Sequence, residues 1–176
     1  MTYRKTPSGK PSVEEISPFH IRFLEQIVTF DIVAEIEKLT EESLAILKSV
    51  PEEKETYSYA DGKWNIRQLV GHVIDAERIF CVRILAASRG DQGELPPFDE
   101  NTYALNAGHE RIPLSDLIEE FQTVRKATLQ LLSRLDNDQW KRKAMIRGHN
   151  QSARAVAWSI AGHSIHHLRF MKQHYL

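Results

Sequence analysis

The chain has 176 residues, of which 41% are hydrophobic and 27% are charged, a composition typical of one globular domain with a sizeable core. Its 23 basic and 24 acidic residues nearly cancel, and no apolar run is long enough for a membrane span, so we expect neither nucleic-acid nor membrane partners. The only cysteine, Cys81, cannot form an intrachain disulfide, and a cytoplasmic location is expected. One basic patch, residues 140–143 with Arg147, is interpreted as a solvated turn or helix end rather than a phosphate site.

The beginning of the chain predicts an irregular arm followed by a packed segment. Residues 1–15 form the arm, because Thr, Ser, Gly, Lys and Pro follow one another without any periodicity that could bury a face. We expect one domain over residues 16–176. Within it, residues 18–30 predict a short helical segment that packs on the main body through Phe19, Phe23, Leu24, Ile27 and Val28.

Two long helices follow, each with a capping signal at its start. Asp31 is suited to cap a helix over residues 32–48. Asn65 and Gln68 have the spacing of a capping box at the start of a second helix, which is predicted over residues 66–88.

The second half of the chain predicts a long crossover and two more helices. Residues 89–112 are a long connection rich in Gly and Pro. Connections of this length usually have a function or cross from one end of a domain to another. Pro113 is expected in the first turn of a third long helix. A second loop, over about 136–151, precedes Ser152, the expected cap of the last helix. No strand signal is evident, so the sequence predicts an all-α four-helix bundle.

Three of the eight histidines lie in one five-residue stretch of the predicted last helix, residues 163–167. His163 and His167 are one helical turn apart and therefore share a face, with His166 beside them. His72, on the second helix, could supply a third imidazole to the same point. Such a set suits Zn²⁺, Ni²⁺ or Fe²⁺ and leaves coordination positions open for water or substrate. The alternative is that these histidines are solvent-facing or hydrogen-bonded into the core.

Two further polar residues are candidate catalytic groups. Asp75 lies one turn beyond His72, where it could orient a ligand or act as a base; it could equally be a surface carboxylate or a salt-bridge partner of Arg78 or Arg83. His166 could act beside the metal or only pack at a helix interface. The remaining histidines that have no such partners are treated as ordinary: His20, His109 and His174.

Three stretches together resemble the DinB-like (YfiT-like) superfamily. They are Gly62 to Arg78, with the run Gly-Lys-Trp-Asn-Ile-Arg-Gln-Leu-Val-Gly-His; Leu95 to Asp99, with Leu-Pro-Pro-Phe-Asp; and Gly162 to Leu168, with Gly-His-Ser-Ile-His-His-Leu. The resemblance extends from about Ile16 to the C-terminus.

This resemblance implies a four-helix bundle with down-up-up-down topology and a long crossover between helices two and three. It implies that His72, His163 and His167 are the metal ligands. The metal would be nickel or zinc, with iron or manganese as further options. The resemblance also implies an activity, because family members with known activity are largely thiol-dependent transferases and many others are named only as metal-dependent hydrolases. Many members look dimeric, so a homodimer is expected here.

Two functions therefore follow as expectations. The first is a metal-dependent enzyme that activates a low-molecular-weight thiol, as an S-transferase of the detoxification type, or water, as a hydrolase; its substrate would be a small molecule. The second is a non-catalytic, stress-linked dimeric bundle in which the metal only ties helices together. A pocket beside the ion would favour the enzyme. Residues 96–101 are expected to shape the substrate entrance.

Overall fold

Four long helices form the body of the protein in the computed structural model, which describes residues 9–176. They are α2 (Ile32–Lys48), α3 (Ile66–Arg89), α5 (Leu114–Leu132) and α7 (Ala153–His174). Helix α3 packs against both α5 and α7, and α2 packs against the same two helices. The chain is therefore a four-helix bundle, as the sequence predicts. No helix within the described range is both long and apolar enough to cross a membrane.

The predicted capping residues explain where the long helices begin. The Asp31 side chain accepts a hydrogen bond from the backbone N–H of Ala34. Asn65 and Gln68 each accept from the other's backbone N–H, at 2.9 and 3.1 Å, which confirms the capping box of α3. Ser152 accepts a hydrogen bond from the N–H of Ala155 at the start of α7. These side chains satisfy backbone donors that the first helical turn leaves unpaired.

Both predicted loops contain regular structure that the sequence analysis missed. The crossover holds a two-residue strand, β1 (Glu94–Leu95), and a short helix, α4 (Glu100–Ala107). The second loop holds α6 (Asn137–Lys141), β2 (Lys143–Ile146) and β3 (His149–Ser152). Strand β2 pairs in parallel with β1 and antiparallel with β3. The expectation of no strand was therefore wrong, because these strands have only two to four residues, too few for an alternating apolar pattern to be recognised in the sequence.

The hairpin between β2 and β3 turns through two residues with positive φ. Arg147 has φ 55° and Gly148 has φ 74°, the signature of a type I′ turn. Residues of that turn usually are Asn and Gly, so an arginine at the first position is unusual. This turn fixes the antiparallel register in which Ile146 lies opposite His149.

The segment before α2 is anchored to the bundle. Residues 1–8 of the predicted arm lie outside the described residues, whereas Val13–Glu15 forms a short 3₁₀ turn whose Glu15 is buried against Arg154 and Ser152. Helix α1 (Ile21–Glu25) buries the side chains Phe23 and Leu24, and Ile27 is buried just after it. Val28, which was expected to pack inward, is 90% exposed.

Candidate metal centre

Three histidine side chains from two long helices meet at one point. His72 lies near the start of α3, and His163 and His167 lie one turn apart in α7. The Nε2 atom of His163 lies 3.2 Å from Nε2 of His72 and 3.0 Å from Nε2 of His167. A ring nitrogen from each of the three lies within 4.8 Å of the others. The structure thus brings together the histidines that the sequence singles out, and their role as metal ligands stays a prediction.

Burial keeps these imidazoles neutral at physiological pH. The indole ring of Trp64 lies 4.8 Å from the ring of His72, centroid to centroid. Burial, with a smaller contribution from the charge of His166, lowers the pKa of His72 to about 4. Burial and then the neighbouring histidines lower the pKa values of His163 and His167 well below the usual range. Neutral imidazole is the form that binds a metal ion, so no proton has to be displaced first.

The arrangement of the three nitrogens fits a divalent ion better than a hydrogen-bond network. An imidazole nitrogen has one proton or one lone pair, so Nε2 of His163 cannot make two good hydrogen bonds to its two neighbours. Zinc–nitrogen bonds of about 2.0–2.1 Å separate two ligand nitrogens by about 3.0–3.3 Å, depending on coordination geometry. The two short separations at His163 match that range. The residues present therefore suit a three-nitrogen metal site.

A buried ion pair connects three of the long helices beside the histidines. Arg125 of α5 lies 2.8 Å from the carboxylate of Glu77 in α3 and donates a 3.0 Å hydrogen bond to Ser164 in α7. Glu77 also accepts a 2.6 Å hydrogen bond from the hydroxyl of Thr128. Both charged side chains are almost completely buried, so removing either would leave an uncompensated charge. Because Ser164 directly follows His163, this network helps to fix the position of the His163 side chain.

Helix α1 approaches the same part of α7 through a glycine. A Cβ atom at Gly162 would overlap the Cβ of Phe23 and lie 2.8 Å from its Cα. The Phe23 ring in turn contacts the ring of His163, with a centroid separation of 6.1 Å. Glycine at position 162 therefore permits the close contact that packs α1 over the site.

A cavity of about 110 Å³ opens onto the three histidines, and we call it the arginine-lined cavity. Its defining side chains are Arg22 of α1, Arg83 of α3 and Arg147 of the β2–β3 turn. The remaining wall contains histidines, aromatic side chains and one carboxylate: His20, His72, His163, His166, His167, Phe19, Trp64, Phe80, Phe98 and Glu100. A ligand in this cavity would therefore contact both the candidate metal site and three cationic side chains.

A second cavity, of about 230 Å³, lies against His166 and His167, and we call it the tyrosine-lined cavity. Tyr59 and Tyr175 are among its lining residues. Trp64, His166 and His167 line both cavities, so the two meet at the candidate metal site.

The two predicted catalytic residues occupy different environments. His166 is half-buried and faces both cavities, and burial, followed by the charge of Arg22, lowers its pKa. Asp75 is not among the residues that line either cavity. Its carboxylate lies 3.4 Å from Arg78 and 4.0 Å from the ring of His109. These contacts favour the salt-bridge interpretation of Asp75 over a role as a base.

Sequence reasoning missed three residues of the arginine-lined cavity. His20 was treated as ordinary, but it is buried, and burial together with the charges of Arg83, Arg147 and Arg22 lowers its pKa to about 4. Arg147 was assigned to a solvated basic patch, yet it lines the cavity. Arg83 was considered only as a partner of Asp75. One signal for Arg83 was available, because it follows His72 by 11 residues, about three full helical turns, and so shares its face.

Two known proteins are similar to this chain over most of its length. A protein of Oceanobacillus iheyensis named "Putative metal-dependent hydrolase" is 28% identical over 171 residues, which cover 94% of this chain and 92% of that protein. A protein of Halalkalibacterium halodurans with the same kind of name is 25% identical over 146 residues, covering 80% of this chain and 82% of that protein.

Solved structures show the same architecture. YfiT from Bacillus subtilis, described as a probable metal-dependent hydrolase with an unusual four-helix bundle topology, superposes with a TM-score of 0.71 at 18% identity, over 96% of this chain and 94% of its own. A mycothiol-dependent maleylpyruvate isomerase superposes with a TM-score of 0.65 at 14% identity, over 82% of this chain and 59% of its own. The model of the DinB superfamily matches residues 35–171. The chain therefore belongs to the DinB superfamily.

Proposed function

We propose that this protein is a metal-dependent enzyme in which His72, His163 and His167 hold one divalent ion. The observation that carries the proposal is the arginine-lined cavity, which opens directly onto the three imidazoles. A metal that only tied helices together would not need a cavity beside it. The names of the two relatives, each "Putative metal-dependent hydrolase", support the assignment of a metal.

Nickel or zinc is the ion that we propose for the site, with iron or manganese as alternatives. Three neutral imidazoles without a carboxylate or thiolate form a donor set of borderline softness, which suits zinc and nickel. The one thiol of the chain, Cys81, contacts Thr128 at 3.2 Å and is not among the residues that line either cavity. When bound, such an ion would lower the pKa of a thiol or of water and so supply a nucleophile near neutral pH.

His166 is the residue that we assign to proton transfer. It faces both cavities beside His167, and burial favours its neutral form, which can accept a proton from a thiol or water. Trp64 covers the ring of His72 and borders both cavities, so its role would be to exclude bulk water from the ligands. Asp75 stays a less favoured candidate base, because its contacts are with Arg78 and His109.

The presence of two cavities favours transfer of a thiol over hydrolysis. A transferase must hold a thiol and its acceptor together, whereas a hydrolase needs room for one organic substrate and water. The tyrosine-lined and arginine-lined cavities meet at His166 and His167, which would allow one substrate in each. We therefore propose a low-molecular-weight thiol and a small electrophile as substrates, in a detoxification reaction, with hydrolysis as the second candidate.

An activity screen of the nickel-loaded and zinc-loaded protein tests this proposal. Low-molecular-weight thiols would be paired with a general electrophile in one arm, and ester and amide substrates without thiol would form the other. We expect thiol consumption that falls at least about 100-fold in His166→Gln, which retains the ligands and the fold. Thiol-independent ester or amide hydrolysis would establish the hydrolase instead, and no activity in either arm with metal bound would contradict an enzyme.

The competing interpretation is a non-catalytic, stress-linked dimeric metal-binding bundle. It predicts that metal removal lowers stability and that no thiol or ester turns over. The homodimer itself stays a prediction under either function, and sedimentation of the full chain would test it.

A further inference from the structure

We propose that the arginine-lined cavity binds an oxyanion, a carboxylate or a phosphate group of the substrate, through Arg83 and Arg147. The inference rests on the proposed function in one respect, since it takes this cavity as the place of the substrate. It adds the chemical class of that substrate: a small electrophile or ester that carries a negative charge at a fixed position relative to the metal site.

Arg83 is a buried cation without a carboxylate. Only 3% of the residue is exposed, yet no acidic side chain forms an ion pair with it among residues 9–176. Residues 1–8 contain no Asp or Glu, so they cannot supply one. Buried charges in proteins are ordinarily paired, and an unpaired one is costly. A buried arginine that lines a cavity and has no acidic partner in the protein is therefore expected to find its counter-charge in the ligand.

The hydrogen-bonding groups of Arg83 also remain available. One guanidinium nitrogen donates to the carbonyl oxygen of Pro96 at 3.3 Å, a long hydrogen bond. The other nitrogens have no hydrogen-bond partner among the described residues and are not completely buried, and the residue lines the cavity. The guanidinium carbon of Arg83 lies over the rings of Phe80 and Phe98, at 5.9 and 5.8 Å from their centroids. Cation–π contacts of this kind help to hold the guanidinium in place and use none of its N–H donors in a hydrogen bond to a carboxylate.

Arg147 occupies a backbone position that arginine does not favour. Its φ of 55° in the β2–β3 turn is a conformation in which Asn or Gly costs less. The turn nevertheless places an arginine here, with its guanidinium 5.6 Å from the ring of Phe19 at the cavity. A residue that is unfavourable for the backbone but useful for the side chain indicates a functional constraint.

The charge balance of the cavity points the same way. Arg22, Arg83 and Arg147 line it, and Glu100 is the one carboxylate among its lining residues. Glu100 is exposed and forms no ion pair with these arginines. A divalent ion at the histidines would add further positive charge. An anionic group on the substrate would offset this charge, and a guanidinium can hold a carboxylate or phosphate through two parallel hydrogen bonds.

Calorimetric titration with inorganic phosphate and, separately, with acetate tests the inference. Both titrations use the full chain as purified and again after metal removal, so that binding by the metal is separated from binding by the arginines. We expect at least one anion to bind with millimolar affinity after metal removal. Arg147→Asn should weaken that binding about tenfold or more, because it removes a charged donor while Asn suits the positive φ and preserves the fold. Arg83→Gln should weaken it at least as much.

Arg89→Gln is the matched control, because Arg89 is an exposed arginine at the end of the same helix as Arg83 and does not line the cavity. It removes the same charge and should leave anion binding unchanged. Binding of acetate alone would identify a carboxylate, and binding of phosphate alone a phosphate. Absence of binding at tens of millimolar, or equal weakening by Arg89→Gln and Arg147→Asn, would overturn the inference. Metal content is measured on every variant, so that a failed anion site is distinguished from a failed metal site.

Discussion

Acid should destabilise the metal-free protein through its buried histidines. Burial lowers the pKa of His72 to about 4, whereas the same residue in the unfolded chain titrates near 6.5. Below pH 6.5 the unfolded chain therefore binds a proton that the folded chain excludes. Folding stability from this group is complete above pH 6.5 and is lost as the pH falls toward 4.

The size of the effect follows from the two pKa values of His72. Each unit of difference corresponds to about 1.4 kcal/mol, and integration from pH 7 to pH 5 gives a loss of about 2 kcal/mol in the free energy of unfolding. His20, whose pKa is also lowered to about 4, should add a loss of similar size. Such losses are a large fraction of the stability of an ordinary domain.

Urea unfolding of the metal-stripped protein at pH 7, 6 and 5 would measure this dependence. The His72→Gln variant should lose about 2 kcal/mol less than the unmodified chain between pH 7 and pH 5, because glutamine does not titrate. His149→Gln, in the exposed start of β3, is the matched control and should retain the full dependence. Identical pH dependence in His72→Gln and the unmodified chain would refute the argument that His72 is held neutral by burial.

Three other substitutions follow from particular contacts. Gly162→Ala should lower the free energy of unfolding by about 1–3 kcal/mol, because its Cβ overlaps Phe23, and unchanged urea unfolding would contradict that close packing. Glu15→Gln should lower the free energy of unfolding by about 1–2 kcal/mol at pH 7. Burial raises the pKa of Glu15, but hydrogen bonds from Arg154 and Ser152 outweigh burial and lower the pKa to about 2, so the stability difference between the variant and the unmodified chain should shrink as the pH falls from 4.5 toward 2. A stability difference that stays constant over this pH range would contradict the prediction. Phe98→Ala should change the relative kcat/KM values of competing substrates without releasing metal, because Phe98 borders the arginine-lined cavity and lies near Arg83. Loss of metal in an elemental analysis of this variant would show that the role of Phe98 is misassigned.

The long helices could be predicted because their signals are local. Asp31, Asn65 and Ser152 cap their helices through hydrogen bonds to the residue three positions ahead, and such spacing is visible in the sequence. The pair His163 and His167 is equally local, since one helical turn separates them. The addition of His72 was less certain from spacing, because it joins two helices that are distant in sequence; its place in a capped helix suggested it, and the resemblance to the DinB superfamily implied the same three residues.

The arginine-lined cavity could not be predicted because it is assembled from distant parts of the chain. Arg22, Arg83 and Arg147 come from α1, α3 and the β2–β3 turn, and no spacing rule connects them. The hairpin that carries Arg147 has a weak sequence signal, since its strands are short and Arg-Gly is an uncommon type I′ turn. A sequence pattern records the neighbours of a residue within one element, whereas this cavity depends on tertiary packing.

Elemental analysis of the full chain, purified without a histidine tag, is the most direct test of the metal centre. We predict about one equivalent of nickel or zinc per chain, bound by three imidazoles, and the loss of this metal in both His72→Ala and His167→Ala. His149→Ala, which removes an exposed histidine outside the cluster, should retain the metal. Retention of metal in both ligand variants, or no metal after incubation with nickel, zinc and iron in turn, would contradict the three-histidine site.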